Sequence, residues 1–192
     1  IRSWRIYKGW CSIMNIGIIC SGFGGQGVLT TGLLMAYAFH HNGKNITWYP
    51  SYGSEMRGGT ANCMVKASDT DIASPYVKKI DILVTLNEPA IAKFEKQVVP
   101  GGFLFVNSSL VDENRCYRDD ITVVKVDTEK LAEQAGNSKG ANIAMIGAVL
   151  KKTAVLTFDE YNDAMTKYFT DKGKEKFNSL NTAALKAGYD SI

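Results

Sequence analysis

Short runs of apolar residues alternate with longer amphipathic segments along this chain. Residues 80–86 form an almost uninterrupted apolar run, which is typical of a strand covered on both faces of a sheet. Residues 60–67 instead alternate apolar with polar positions, so they predict a half-buried strand. Because no helical segment separates this strand from the preceding one, we expect it to pair antiparallel. The predicted strands are 15–21, 46–49, 60–67, 80–86, 103–106 and 121–126.

Helical segments follow most of these strands. Residues 25–41 carry an apolar helical pattern that ends at Asn42 and Gly43, a combination that favours the end of a helix. Pro50 is expected to close the second strand, and residues 100–102 to form a turn. Strands alternating with helices indicate an α/β domain: a three-layer α/β/α, Rossmann-like fold with a mostly parallel, mixed sheet and additional C-terminal helices. Further helices are predicted at 89–97, 127–135, 141–153, after a capping box at 157–160, and at 174–187 with its end at Gly188.

The domain organisation follows from where this pattern begins. Residues 1–13 mix Arg, Lys and Trp without a period, and they lack the apolar core of a signal peptide. We therefore expect Met14 to be the natural start and residues 1–13 to be a non-native or upstream extension; a short ordered N-terminal extension is the alternative. Residues 14–192 are expected to form a single domain, because that length is enough to bury a sizeable core.

Composition narrows the class of function. The net charge of +3, from 22 basic and 19 acidic residues, is too small a bias to favour nucleic-acid or membrane binding. No apolar segment reaches the length of a membrane span. The four cysteines lack a C-x-x-C pair, so neither a zinc nor an iron–sulfur site is expected within the chain, and a reducing cytoplasm is the expected compartment. The sequence also has no Ser-His-Asp order and no P-loop lysine, so we predict no catalytic and no metal-binding residue.

The strongest local motif is a glycine-rich turn between the first strand and the first helix. Its sequence, GFGGQG, comprises Gly22, Phe23, Gly24, Gly25, Gln26 and Gly27. Glycines allow close approach of a ligand to the backbone, and the free N–H groups of the following helix favour an anion. A dinucleotide site usually also has an acid at the end of the second strand, where this chain has Tyr49, Pro50 and Ser51. NAD and FAD are thus less favoured, and a phosphate site and a purely structural turn both remain open.

A second loop, residues 51–59, combines glycine with polar side chains. Arg57 is placed to bind a phosphate or carboxylate with two hydrogen bonds, although an ion pair between Glu55 and Arg57 is an equally good interpretation. Asn87 and Asn107 follow two other strands. Since ligands bind beyond the carboxyl ends of parallel strands, we expect all these segments at one edge. The candidate binding residues outside the first loop are Ser51, Tyr52, Ser54, Glu55, Arg57, Gly58, Gly59, Asn87 and Asn107.

The two loops together resemble a known family. GFGGQG at 22–27 and YGSEMRGGTANC at 52–63 are similar to the gamma subunit of 2-oxoacid:ferredoxin (acceptor) oxidoreductases, and the resemblance covers residues 14 to about 188. The second loop is most similar to the 2-oxoglutarate branch; pyruvate, branched-chain oxoacid and indolepyruvate enzymes are relatives. Ser54 departs from the pattern, because many members have Pro there.

The resemblance implies a role within a larger enzyme. A 2-oxoacid is decarboxylated on thiamine diphosphate with Mg²⁺, electrons leave through iron–sulfur clusters to ferredoxin or flavodoxin, and the acyl group passes to coenzyme A. Alpha and beta subunits, with a ferredoxin-like delta subunit in some complexes, carry these cofactors. The chain itself is expected to hold none of these cofactors, to help bind coenzyme A, and to be inactive alone. A homodimer is one possible form of the isolated chain. Two alternatives remain: a stand-alone nucleotide-binding protein and a purely structural interaction module.

Overall fold

The computed structural model describes residues 13–52 and 60–192. Short 3₁₀ turns lie at Glu95–Gln97, Ser108–Leu110 and Glu175–Phe177. The strands are β1 (Asn15–Phe23), β2 (Asn45–Tyr52), β3 (Thr60–Ser68), β4 (Ile80–Thr85), β5 (Val98–Asn107) and β6 (Thr122–Val126). The helices are α1 (Val28–His41), α2 (Glu88–Phe94), α3 (Thr128–Gln134), α4 (Ala141–Thr153), α5 (Phe158–Asp171) and α6 (Asn178–Asp190).

The strands form one six-stranded sheet in the order β2-β3-β1-β4-β5-β6. β1, β4, β5 and β6 are parallel neighbours, whereas β3 runs antiparallel to both β1 and β2. The predicted mixed sheet and the predicted antiparallel third strand are therefore confirmed. Because β3 reverses direction, β2 points the same way as β1, and the carboxyl ends of five strands meet at one edge of the sheet.

Alternate residues of the central strands are buried on opposite faces of the sheet, as strand geometry requires. Ile18 and Ile82 belong to the larger core, which α1, α4, α5 and α6 cover with residues such as Phe39. Ile19 and Leu83 belong to the smaller core on the other face, where α2 supplies the helical cover. The three-layer architecture is confirmed, with most of the helical mass on one face.

Two predicted turn positions are in fact strand positions. Residues 100–102 lie inside β5, and the register between β4 and β5 shifts between Ile80 and Ile82, opposite this segment. Gly101 supports that irregularity with a φ of 79°. Pro50 lies inside β2, paired with Cys63. β2 is an edge strand, where a missing N–H is tolerated, so proline did not end it.

The helix end predicted at Gly188 is also wrong, for a packing reason. α6 continues to Asp190, and Gly188 is buried within it. A Cβ at Gly188 would overlap the carbonyl oxygen of Ala144, and one at Gly147 would overlap that of Leu185. These glycines therefore allow α4 and α6 to approach backbone to backbone. The prediction of an extension at residues 1–13 stays a prediction, since residues 1–12 lie outside the described part.

Candidate functional site

The predicted site segments that the structure describes lie at the same edge of the sheet. β1 ends at Phe23 and β4 ends at Thr85, which pairs with Ser21; β5 ends at Asn107 beside Val126 of β6. β2 ends at Tyr52 and β3 begins at Thr60, opposite Phe23. Ser51 is a half-buried position of β2. The glycine loop, the ends of the second loop and the two asparagines thus share the carboxyl edge.

Part of the second loop lies outside the described residues. This applies to the predictions for Ser54, Glu55, Arg57, Gly58 and Gly59, whose proposed ligand contacts and ion pair stay predictions.

The glycine loop has a backbone that its glycines permit. Gly25 and Gly27 have φ values of 99° and 77°, a left-handed conformation that other residues adopt at a cost. Gly25 is exposed, and a Cβ there would meet nothing within 4 Å. Gly27 is the N-cap of α1, so no side chain caps this helix, while its carbonyl accepts from the N–H of Thr31 at 2.8 Å. The loop therefore presents backbone to the outside at this edge.

Gln26 holds the loop in place from within. Its Oε1 accepts from the Phe23 N–H at 2.6 Å, and its Nε2 donates to the carbonyl of Leu86 at 3.0 Å. Asn87 donates to the same Oε1 at 3.3 Å. A Cβ at Gly22 would lie 2.7 Å from that oxygen, so this glycine provides the room that the Gln26 amide occupies. Gln26 thus joins the ends of β1 and β4, a structural role that the sequence did not reveal.

The two predicted asparagines are buried and hydrogen-bonded within the protein. Asn87, 3% exposed, caps α2 because its Oδ1 accepts from the Ala90 N–H at 3.0 Å. Asn107, 1% exposed, donates to Glu129 Oε1 at 3.0 Å and accepts from the Ser109 N–H at 3.3 Å. These contacts fix the shape of the edge. Direct contact of either side chain with a ligand stays a prediction.

Asp127 completes the same edge at the end of β6. Its Oδ1 accepts from the Ser109 hydroxyl at 2.6 Å and from the Lys130 N–H at 3.2 Å, which caps α3. The hydrogen bond from Ser109 lowers the pKa of Asp127, against an opposing effect of partial desolvation. The Asp127 carboxylate therefore lies at the β6 end of this edge, away from the glycine loop at β1, and is already hydrogen-bonded.

The structure brings one further residue, Asn142, to the glycine loop. Asn142 lies in the first turn of α4, whose N-cap, Gly140, also has no capping side chain. A Cβ at Gly27 would lie 2.8 Å from Asn142 Nδ2, so the amide rests directly on the loop. Asn142 is not among the residues predicted for the site. Its place just after the glycine at a predicted helix start was the available signal.

A large groove lies at the opposite edge of the sheet, where no site was predicted. Its volume is about 1520 Å³, and it is lined by residues near the amino ends of β1, β4, β5 and β6, among them Lys78, Lys79 and Lys96. Asp81 in this groove accepts from the Gly17 N–H at 2.8 Å, and burial raises the pKa of its carboxyl. A large volume alone does not identify a functional site. The candidate site is therefore the carboxyl edge, where the loops that follow several strands converge.

Within residues 13–52 and 60–192, no three His, Cys, Asp or Glu side chains are grouped in a way that fits a metal ion. In the same part of the chain, no helix has both the length and the apolar character needed to cross a bilayer.

Comparison with known proteins identifies the family. Residues 17–191 match the family described as pyruvate ferredoxin/flavodoxin oxidoreductase, and the chain belongs to it. The chain is 36% identical over 178 residues to the ketoisovalerate oxidoreductase subunit VorA of Methanothermobacter marburgensis, covering 92% of this chain and 36% of that protein. It is 33% identical over 180 residues to the 2-oxoglutarate synthase subunit KorC of Methanocaldococcus jannaschii, covering 92% and 94%. The chain thus spans about a third of the VorA relatives and nearly all of KorC.

Solved structures agree with this assignment. The gamma subunit of a keto/oxoacid ferredoxin oxidoreductase from Geobacter sulfurreducens superposes with a TM-score of 0.79 at 27% identity, covering 92% of this chain and 95% of that one. A 2-oxoglutarate:ferredoxin oxidoreductase from Magnetococcus marinus shares the fold, with a TM-score of 0.78 at 18% identity over 93% of this chain and 31% of that one. The predicted likeness to gamma subunits is confirmed.

Proposed function

We propose that this chain is the gamma subunit of a 2-oxoacid:ferredoxin oxidoreductase. The observation that carries the proposal is the family match over residues 17–191, together with full-length likeness to a gamma subunit of known structure. The candidate site agrees with this role. Its described part is a rim of glycine backbone and asparagine caps at one edge of the sheet, which suits contact with a partner or with a ligand shared with it.

We propose 2-oxoglutarate as the oxoacid, with succinyl-coenzyme A as the product. The KorC relative is named a 2-oxoglutarate synthase subunit and matches this chain over nearly its whole length. The rival substrate is a branched-chain oxoacid, which is favoured by the somewhat higher identity to the ketoisovalerate subunit. Pyruvate and indolepyruvate are less favoured as substrates, because the subunits named for them are 25% and 24% identical to this chain.

The proposed division of labour places the cofactors on other subunits. Thiamine diphosphate, Mg²⁺ and the iron–sulfur clusters would be carried by alpha, beta and, where present, delta subunits in the cytoplasm, with ferredoxin or flavodoxin as acceptor. Coenzyme A would contact the present chain through residues 22–27 and 51–59. The uncapped start of α1 and the exposed Gly25 offer N–H groups that suit its phosphates.

Reconstitution tests the proposal directly. The chain would be co-expressed with alpha and beta subunits encoded by its source, and oxidation of 2-oxoglutarate, 2-oxoisovalerate and pyruvate would be measured with coenzyme A and ferredoxin. We expect activity only in the complex, and the highest kcat/KM with 2-oxoglutarate. Activity of the isolated chain would contradict the subunit role, whereas preference for 2-oxoisovalerate would replace the substrate and keep the role.

A stand-alone nucleotide-binding protein is the second candidate, because the glycine loop connects a strand to a helix as dinucleotide sites do. Calorimetry on the isolated chain with NAD and ATP separates the two. Tight binding of either nucleotide, without partner subunits, would favour this candidate over the first.

A further inference from the structure

We propose that Cys20 and Cys63 form a disulfide when the folded chain meets hydrogen peroxide, so that the pair is a site of oxidative modification. The two residues are direct partners in the antiparallel pairing of β1 with β3. Both side chains are buried in the larger core, where the proposed function gives them no role. The inference does not depend on the identity of the oxoacid or of the partner subunits.

The pairing of the strands brings the two cysteines within reach of each other. Directly opposite residues of antiparallel strands have Cα atoms about 4.5–5.5 Å apart, and their side chains share one face of the sheet. A disulfide joins Cα atoms that are about 4.4–6.8 Å apart, so the strands already have the required separation. The Cβ atoms of such pairs are about 4.5–5.5 Å apart and have to approach by about 1 Å, because a disulfide holds them at about 3.5–4.5 Å.

The packing of α1 leaves room for the Cys63 thiol. A Cβ at Gly32, on the side of α1 that covers the sheet, would overlap Cys63 Sγ. The thiol also donates to the carbonyl oxygen of Val28, one turn earlier in α1, at 3.5 Å. The glycine therefore leaves space in which the thiol rotates about its Cα–Cβ bond toward Cys20.

The two thiols differ in acidity, and this difference sets the order of the reaction. Hydrogen bonding by the Cys20 thiol lowers the pKa of Cys63, against the opposing effect of burial. The same hydrogen bond, together with burial, raises the pKa of Cys20. Because the thiolate is the nucleophilic form, Cys63 reacts first and Cys20 is the second thiol.

A path from solvent leads to Cys63 beside Trp48. Trp48 is a half-buried residue of the edge strand β2, opposite Val65 of β3. Its Nε1 lies 3.4 Å from the place of a Gly32 Cβ, the same place that the Cys63 thiol crowds. The thiol thus lies beneath one side chain at the edge of the sheet. Local opening at that edge admits a molecule as small as hydrogen peroxide.

The reaction balances with hydrogen peroxide as the oxidant. The Cys63 thiolate attacks one peroxide oxygen and the O–O bond breaks, which leaves a sulfenic acid and, with the proton that Cys63 lost, one water. The Cys20 thiol then attacks the sulfenic sulfur: the S–S bond forms, the S–O bond breaks, and a second water leaves with the Cys20 proton. Two thiols lose two electrons, and one peroxide becomes two waters. In a reducing compartment, thiol–disulfide exchange restores the thiols.

The test is peroxide treatment of the folded full chain, followed by blocking of free thiols, digestion and mass spectrometry. A Cys11→Ser/Cys116→Ser chain is used, because it lacks the other two of the four cysteines. Both remaining thiols should disappear, one cross-linked peptide should join Cys20 to Cys63, and dithiothreitol should restore both thiols. Two free thiols after treatment, or a disulfide that forms only in denaturant, would overturn the proposal.

Two serine variants of this chain test the order of the reaction. Cys20→Ser keeps a hydroxyl as hydrogen-bond donor but removes the second thiol, so dimedone should label Cys63 as a sulfenic acid after peroxide treatment. Cys63→Ser is the matched control and should leave Cys20 unlabelled, because the pKa of Cys20 is raised. Circular dichroism verifies that both variants are folded. Equal labelling of the two variants, or labelling of neither, would contradict the proposed reaction.

The thermal stability of the oxidised chain tests whether the bond fits the strands. A disulfide that closes a loop of about 40 residues restricts the unfolded chain, so the oxidised form should unfold about 5 °C or more above the reduced form. An oxidised chain that unfolds at the same or a lower temperature would show that approach of the two Cβ atoms strains the sheet, and the geometric argument would fail.

Discussion

The glycines of the carboxyl-edge loop and those between α4 and α6 serve opposite purposes. At the loop, Gly25 is exposed and its missing Cβ leaves open space. Between the helices, Gly147 and Gly188 are buried, and the space of their missing Cβ atoms is filled by the backbone of the facing helix. The same residue type therefore gives access to the outside in one region and close internal packing in the other. Substitution separates the two uses.

The largest effect is expected in the helix interface. Gly188→Ala places a methyl group on the Ala144 carbonyl, so α6 must move away from α4. We expect a loss of about 3 kcal/mol in the free energy of unfolding, at the upper end of the cost of overpacking. Urea denaturation measures it. Ala183→Ser, at an exposed position of the same helix, is the control and should stay within about 0.5 kcal/mol. A Gly188→Ala protein as stable as the wild type would show that this close packing is not required.

Next in size is the contrast within the loop. Gly25→Ala should lower the free energy of unfolding by about 1–2 kcal/mol, the cost of a left-handed φ, because the added methyl group meets open space. Gly27→Ala has the same cost and also brings its methyl group against the Asn142 amide, so the loss should be about 1 kcal/mol larger. Combining Gly27→Ala with Asn142→Ala should recover that difference. Thermal unfolding of the wild type, Gly27→Ala, Asn142→Ala and the double variant completes a double-mutant cycle. Strictly additive losses of stability would disprove the contact between Gly27 and Asn142.

The caps of the edge predict a smaller effect. Asn87→Ala removes the acceptor for the Ala90 N–H and the donor to Gln26, so we expect a loss of about 1 kcal/mol. Asn87→Asp keeps the cap and should retain most of that stability in a denaturation experiment. If Asn87→Ala impaired coenzyme A use in the complex without changing the stability of the chain, the asparagine would contact the ligand rather than shape the edge.

The smallest effect concerns pH, and the two edges of the sheet differ in its sign. Burial raises the pKa of Asp81 at the amino edge, so its contribution to stability is present below the usual carboxyl pKa and lost as pH rises through the raised value. The Ser109 hydroxyl lowers the pKa of Asp127, whose contribution is present above the usual value and lost as pH falls through the lowered one.

Denaturation between about pH 3 and pH 8 tests this difference, because that range extends to both sides of the ordinary Asp pKa of about 4. Asp81→Asn should be more stable than the wild type at neutral pH, and the advantage should disappear in acid. Asp119→Asn removes an exposed carboxylate from the same groove and controls for net charge. If Asp81→Asn stayed more stable than the wild type in acid, the gain in stability would come from packing and not from the loss of an ionisable group.

The local patterns were sufficient for most of the fold. Apolar runs and turn residues predicted the six strands found in the described residues, and the absence of a helix before residues 60–67 predicted the antiparallel strand. The errors arose where a turn residue has a tertiary use. Residues 100–102 belong to β5 at a shift of register, and Gly188 continues α6 against α4. The partners of these residues, β4 and α4, lie far from them in the sequence. A local pattern could therefore not reveal either contact.

The sequence by itself determined the α/β class, the glycine loop after the first strand, and the resemblance to gamma subunits, because these depend on residue type at short spacing. Only the tertiary structure decided that Gln26 joins the ends of β1 and β4 and that Asn142 reaches Gly27. Such contacts join segments 60 or more positions apart in the sequence. They exist because the sheet brings strand ends together and because packing on its face aligns the starts of α1 and α4.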